Sequence, residues 1–186
     1  MSLVELIAQA DERGLAASGL ACLDRCVPLL GGDDEVLRPL WGTLAEGRDG
    51  DWADRLEQAR GALDAACPEG PDEDEAALLA RRMLAAAPAG RTAGEVRLWA
   101  DACSVASLQI HRLLDPAEDP ASVDSRREGR TDGMSPLVAA ELRRQITVLE
   151  LLAGRGPAGL RQALEVSTEG RRVLRAVVSR RARGRV

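Results

Sequence analysis

The sequence predicts an all-α chain, and three observations carry the prediction. Apolar residues recur at spacings of three and four along the long segments. No segment alternates apolar and polar residues as a half-buried strand would. The core-forming residues are Leu, Val and Ala, with Trp41, Trp52 and Trp99 as the only aromatics. Close-packed helices use that set better than strands do. The expectation is a single domain over residues 1–186, an irregular bundle of six to seven helices with no sheet. A chain of 186 residues is long enough for one core of its own.

Residues 3–27 carry Leu3, Leu6, Ile7, Ala10, Ala17 and Leu20 on helical spacing, with Gly14 and Gly19 as weak points. Asp33 or Asp34 is placed to cap a short helix ending near Glu46. Asp51 is placed to cap another reaching about Cys67, and Asp74 opens a fourth that ends before Pro88. Val96, Trp99, Cys103, Ala106, Ile110 and Leu113 form a narrow seam on one face of a helix over residues 92–114. Thr92 followed by Glu95 has the form of a capping box, and Pro116 ends the element. A further helix runs over residues 135–153, with Pro136 in its first turn, Val138, Leu142, Ile146 and Leu149 along one side, and Gly154 and Gly156 stopping it. The last helix spans residues 160–181, before a frayed basic tail at 182–186.

Two connections stand out. Residues 68–74 read as a short acidic turn. Residues 115–133, rich in Pro, Asp, Ser and Arg without an apolar run, read as a mobile polar loop with tryptic sites at Arg126, Arg127 and Arg130.

Charge is distributed along one direction of the chain. Residues 1–75 hold 18 carboxylates against 6 Arg, whereas residues 155–186 hold 9 Arg against Glu165 and Glu169. An acidic front and a basic tail suit three outcomes: the two ends meet each other, meet a second copy, or meet an oppositely charged partner. The absence of Phe, Tyr, Lys and Asn fits a GC-rich coding sequence, and with so few aromatics a base-stacking nucleic-acid platform is excluded. No apolar run approaches the ~18 residues of a membrane span. The first residues have no basic region or cleavage site of a secretory signal, and four scattered Cys make no disulfide framework, so a cytoplasmic protein with no membrane partner is expected.

Cys22 and Cys26 share a helix face and could supply half of a metal site completed by Cys67, Cys103 or His111. Zinc sites ordinarily use two such pairs, so core packing is the expected role, with no cofactor. His111, the only histidine, lies beside the apolar seam and is expected as a partly exposed flank residue, Ser104 preceding it on the same stripe. Asp33-Asp34-Glu35 and Asp72-Glu73-Asp74-Glu75 lack the spacing of an EF-hand loop and are expected to serve helix starts. No catalytic residue is assigned. Trp41, Trp52, Trp99, Cys103 and His111 mark where a small-ligand pocket would lie if the bundle has one.

Leu149-Glu-Leu-Leu-Ala, Gly156-Pro157, then Leu160 to Val166-Ser167 and Arg171-Arg172-Val173-Leu174 resemble the helix-turn-helix half of a winged-helix regulator. The resemblance covers residues 149–175 only, with Glu165 where that turn has Gly and Arg171 where an apolar residue is expected. It implies a turn at Val166-Ser167 and a recognition helix that presents Arg171, Arg172 and Arg175 to DNA. The competing reading is one amphipathic helix with Val166, Val173, Leu174 and Val177 inward, and it is preferred. The functional expectation is a protein-interaction, scaffold or regulatory module, self-association included. DNA binding and a ligand-binding or enzymatic bundle stand as alternatives.

Overall fold

Four helix starts are set by a hydroxyl or carboxylate placed one residue before the helix, in the computed structural model, which describes residues 1–47, 51–66 and 74–184. Ser2 caps α1 (Leu3–Gln9), and its capping box is closed by Glu5. Asp11 accepts from the Gly14 N–H and opens α2 (Glu12–Cys26). Thr92 and Glu95 form the expected capping box of α6 (Ala93–Leu114), and Ser122 caps α7 (Val123–Arg127). Each satisfies a helix-end N–H that the helix itself leaves open.

Between these lie α3 (Arg38–Glu46), α4 (Trp52–Ala66) and α5 (Glu75–Ala85), with a 3-10 turn at Val27–Leu29, and α8 (Pro136–Arg183) closes the chain. The described residues are all helical and hold no strand. Their eight α-helices and one 3-10 turn slightly exceed the predicted six to seven. Against the seven helices laid out above, the 3-10 turn adds one, the two expected over 135–153 and 160–181 run together as α8, and two further differences add one each. The segment 3–27 breaks at Ala10, not at a glycine, because Asp11 captures the Gly14 amide and starts a new helix. Residues 115–133, expected as loop throughout, contain α7.

The dihedrals of Gly156 (φ 51°, ψ −132°) leave the helical region inside α8. A straight helix would put Arg144 and Gly170 about 39 Å apart. Here a Cβ on Gly170 would lie 3.0 Å from the Arg144 Cδ. So α8 folds back on itself at Gly156 into two antiparallel limbs, 136–155 and 157–183. The first matches the helix expected to stop at Gly154 and Gly156.

Every residue of α2 from Gly14 to Cys26 is buried, which makes α2 the central helix. α8 and α6 cover it most extensively, and α3 and α5 complete the shell. Close approach is enforced at Gly19, where a Cβ would lie 2.7 Å from the Trp99 ring. The seam expected on α6 is partly confirmed: Val96, Trp99, Cys103 and Ile110 are buried, with Ala106 and Leu113 half-buried. A fully buried Leu or Val contributes about 1.5–3 kcal/mol, so this seam and the Leu residues of α2 both add to the stability.

Arginine does structural work at helix ends. Arg97 donates to the carbonyls of Ile7, Ala8 and Ala10 past the end of α1. Arg60 donates to Leu84, Ala85 and Ala87 at the end of α5. The planar five-donor guanidinium can satisfy several open carbonyls at once.

Arg126, expected as an exposed cleavage site, is buried. Its guanidinium bonds the Asp119 carboxylate and the carbonyls of Arg130 and Asp132. Arg127 is buried as well and pairs with Asp101. Asp33 and Asp34 do not cap α3, which starts after Leu37; Asp33 instead accepts the Glu35 N–H within the preceding turn. Residues 68–73 of the expected acidic turn, Cys67 and the last two residues of the tail lie outside the described residues.

Candidate functional site

A helix buried on all sides has to find partners for any charge it carries, and α2 carries Asp24 and Arg25 near its end. The two residues face different limbs of α8. Arg25 Nε and Nη2 donate to Glu141 Oε2 and Oε1 of the first limb, at 2.8 and 2.7 Å. This is the two-point geometry that makes Arg–carboxylate pairs strong. Both side chains are fully buried.

Glu141 Oε1 also accepts from Ser107 Oγ at 2.7 Å and Gln145 Nε2 at 2.9 Å. Gln145 continues the network to Ser104, whose hydroxyl accepts from Arg127, which reaches Asp101 at the surface. Burial pushes the Glu141 carboxyl up, but Arg25, His111 and the hydrogen bonds outweigh it and hold it down at about 2. Glu141 is therefore held as a carboxylate inside the core at neutral pH.

His111 is 1% exposed, so the flank position expected for it is corrected. Its Nδ1 lies 2.7 Å from the Ser107 carbonyl oxygen, which makes Nδ1 the protonated nitrogen. Nε2 then faces Glu141 Oε2 at 3.6 Å. Burial holds the imidazole below its ordinary value against the pull of Glu141.

Cys22, Cys26 and Cys103 are buried free thiols around this network. Burial pushes Cys22 up to about 12, and raises Cys26 and Cys103 too. Protonated, enclosed thiols pack as small hydrophobes. No group of three or more His, Cys, Asp or Glu among the described residues is arranged to hold a metal ion.

The second limb of α8 meets Asp24. Arg171 Nη1 donates to Asp24 Oδ1 at 2.5 Å, and Arg171 is 5% exposed. Burial raises the Asp24 carboxyl, and Arg171 pulls it the other way. Gly170, the neighbour of Arg171, leaves room for Arg25: a Cβ there would lie 2.4 Å from Arg25 Cδ. Further out, Arg175 pairs with Asp34, and Arg181 with Asp74 at 3.5 Å. Acidic front and basic tail thus meet within one chain at these positions.

The residues singled out from the sequence scatter accordingly. Val166 and Ser167 lie inside a continuous limb, so the turn that the winged-helix resemblance implies does not form. Of its three arginines, Arg171 is buried, Arg175 is half-exposed and paired, and Arg172 stands in solvent. Trp52 and Trp99 meet edge to face, ring centroids 6.2 Å apart, and donate to the carbonyls of Pro88 and Met83. Cys103 and His111 are packed in the core beyond them, while Trp41 lies apart, beside Asp24 and Arg171.

Arg25 and Glu141 were missed by sequence reasoning. Their signal was a polar residue on an apolar stripe: Glu141 adjoins the Val138–Leu142–Ile146 line, and Arg25 sits among Cys22, Leu23 and Cys26.

The surface bears an apolar groove of about 570 Å³ where the end of α6, the start of α8 and the end of α8 converge. Leu113, Leu137 and Val177 line it, and Arg180 and Arg181 border it. Arg180 is exposed and has no carboxylate partner among the described residues.

Compared with known proteins, the chain matches no family model, and no curated protein or solved structure is significantly similar to it. Among the described residues, no helix is long and apolar enough to cross a membrane.

Proposed function

We propose that this protein is a cytoplasmic helical interaction module that docks an acidic, apolar segment of a partner protein in the groove between α6 and the two ends of α8. The observation that carries the reading is that groove: an apolar floor of Leu113, Leu137 and Val177 beside the exposed guanidinium of Arg180, which has no carboxylate partner among the described residues. An amphipathic helix with carboxylates on one flank complements both features. The buried free thiols suit a reducing compartment.

The other readings draw less support. DNA binding through the tail would need Arg171, whose guanidinium is buried against Asp24. A ligand pocket at Trp52, Trp99, Cys103 and His111 would need space that these side chains fill. Self-pairing of front and tail has less to drive it, since Asp24, Asp34 and Asp74 already meet tail arginines internally.

Peptide-display selection on the immobilised protein tests the reading. Enriched peptides should carry Asp or Glu beside apolar residues at helical spacing. Their binding should weaken about tenfold on Arg180→Glu and on Leu137→Glu. An enriched set without carboxylates, or binding indifferent to both substitutions, would overturn it. So would a dimer in light scattering that Leu137→Glu disperses, because the groove would then serve a second copy.

A further inference from the structure

A small chamber of about 30 Å³ lies where α2, α3 and the second limb of α8 meet. It is lined by Asp24, Trp41, Arg171, Leu164 and Thr168, with the exposed Glu35–Arg38 pair on its solvent side. Three polar atoms of these lining residues are buried and have no hydrogen-bond partner among the described residues: Trp41 Nε1, Asp24 Oδ2 and Arg171 Nε. Their residues are 3%, 1% and 5% exposed. The Trp41 indole N–H helps stabilise the Asp24 carboxylate without reaching hydrogen-bond geometry to it.

The valences specify the occupant. Two N–H groups call for a molecule that accepts twice, and a carboxylate oxygen calls for one that donates. Thr168 Oγ1 donates to the Leu164 carbonyl and keeps lone pairs for a second donation. A metal cation would oppose the two N–H donors, and an anion would oppose Asp24. An apolar molecule would leave all three atoms unsatisfied, at about 1–3 kcal/mol each. Water accepts two hydrogen bonds and donates two. The chamber exceeds the roughly 10–15 Å³ that one water needs.

We propose that this chamber is a binding site for a single water molecule, which completes the contact of Asp24 and Trp41 with Arg171. The second limb of α8 is then joined to α2 and α3 through a wet seam, beside the direct Arg25–Glu141 contact on the first limb.

The three tryptophans supply an internal control. Trp52 and Trp99 donate their indole N–H to the carbonyls of Pro88 and Met83, whereas Trp41 finds no acceptor among the described residues. Water–protein cross-relaxation in the NMR spectrum of the full chain should therefore pick out one of three indole protons. The Trp41 Hε1 resonance, assigned by its loss in Trp41→Phe, should show a contact with water held longer than the tumbling time, and the other two should not. A crystal structure should show one solvent peak within hydrogen-bond distance of Asp24 Oδ2, Trp41 Nε1 and Arg171 Nε. No water contact at Trp41, equal contacts at all three indoles, or Trp41 Nε1 bonded directly to Asp24 Oδ2 would each overturn the proposal.

Discussion

Asp24 and Arg25 are neighbours on α2, yet they hold the two limbs of α8 by unlike means. Arg25 meets the first limb through two direct bonds to Glu141, whose oxygens are further bonded by Ser107 and Gln145. Of the Arg25 nitrogens, Nη1 lacks a partner among the described residues. Asp24 meets the second limb through one bond from Arg171 and leaves Oδ2 and the Arg171 Nε open. A buried ion pair offsets its desolvation only when the remaining valences are filled. By that criterion the first contact leaves one buried nitrogen open and the second leaves two atoms open, so the second depends more on what enters its chamber. The difference teaches that only the Asp24–Arg171 contact draws on the charge polarity of this chain, whereas Arg25–Glu141, a cation of the acidic front with a carboxylate of the middle, runs outside it.

The largest break in the comparison is Glu141→Ala, which strands Arg25 in the core. It should cost about 3–5 kcal/mol in urea unfolding followed by circular dichroism. Joint replacement, Arg25→Met with Glu141→Leu, should recover most of that loss, because no charge is then left unpaired. Gly170→Ala comes next. Its methyl group would overlap Arg25 Cδ and press on Arg144, and a loss of about 1–3 kcal/mol should follow in the same assay.

Acid sharpens the contrast through sign. His111 is held below its ordinary 6.5, so the unfolded chain takes up a proton that the folded one refuses. Stability should therefore fall as pH drops through 6.5, and His111→Gln should flatten that part of the curve. Glu141, at about 2 when folded against 4.5, contributes stability that is present above 4.5 and lost as pH falls towards 2. Asp24 acts in reverse. Its carboxyl is raised above 3.8, so the folded state binds its proton first, and this group alone favours folding as pH falls through its raised value. Urea midpoints measured from pH 7 to pH 4 should thus drop less steeply in Glu141→Gln and more steeply in Asp24→Asn than in the wild type.

The smallest effect is expected at the rim. Arg175 and Asp34 are each nearly half-exposed, so Arg175→Ala should change stability by about 0–1 kcal/mol, and less at high salt.

Sequence periodicity made the helices legible where caps and apolar spacing agree. Thr92, Glu95, Pro136 and Gly156 mark their elements as expected, since each acts through its own neighbours in the chain. Long-range partners were not legible. Nothing local to Arg25 points to Glu141, 116 residues away, and nothing local to Arg171 points to Asp24. The arginines of 115–133 read as a solvated loop because spacing shows neither that Arg127 meets Asp101 of another helix nor that the loop turns Asp119 back onto Arg126. Charge counting did find that front and tail are complementary. It could not tell an internal pairing from an external one, because composition carries no distance.

Double-mutant cycles on the two pairs test the central comparison most directly. Arg25→Met with Glu141→Leu, and Asp24→Asn with Arg171→Met, isolate the coupling across each limb of α8. The account predicts about 2–3 kcal/mol between Arg25 and Glu141, and less than half of that between Asp24 and Arg171. Equal couplings, or a stronger one at Asp24–Arg171, would contradict it.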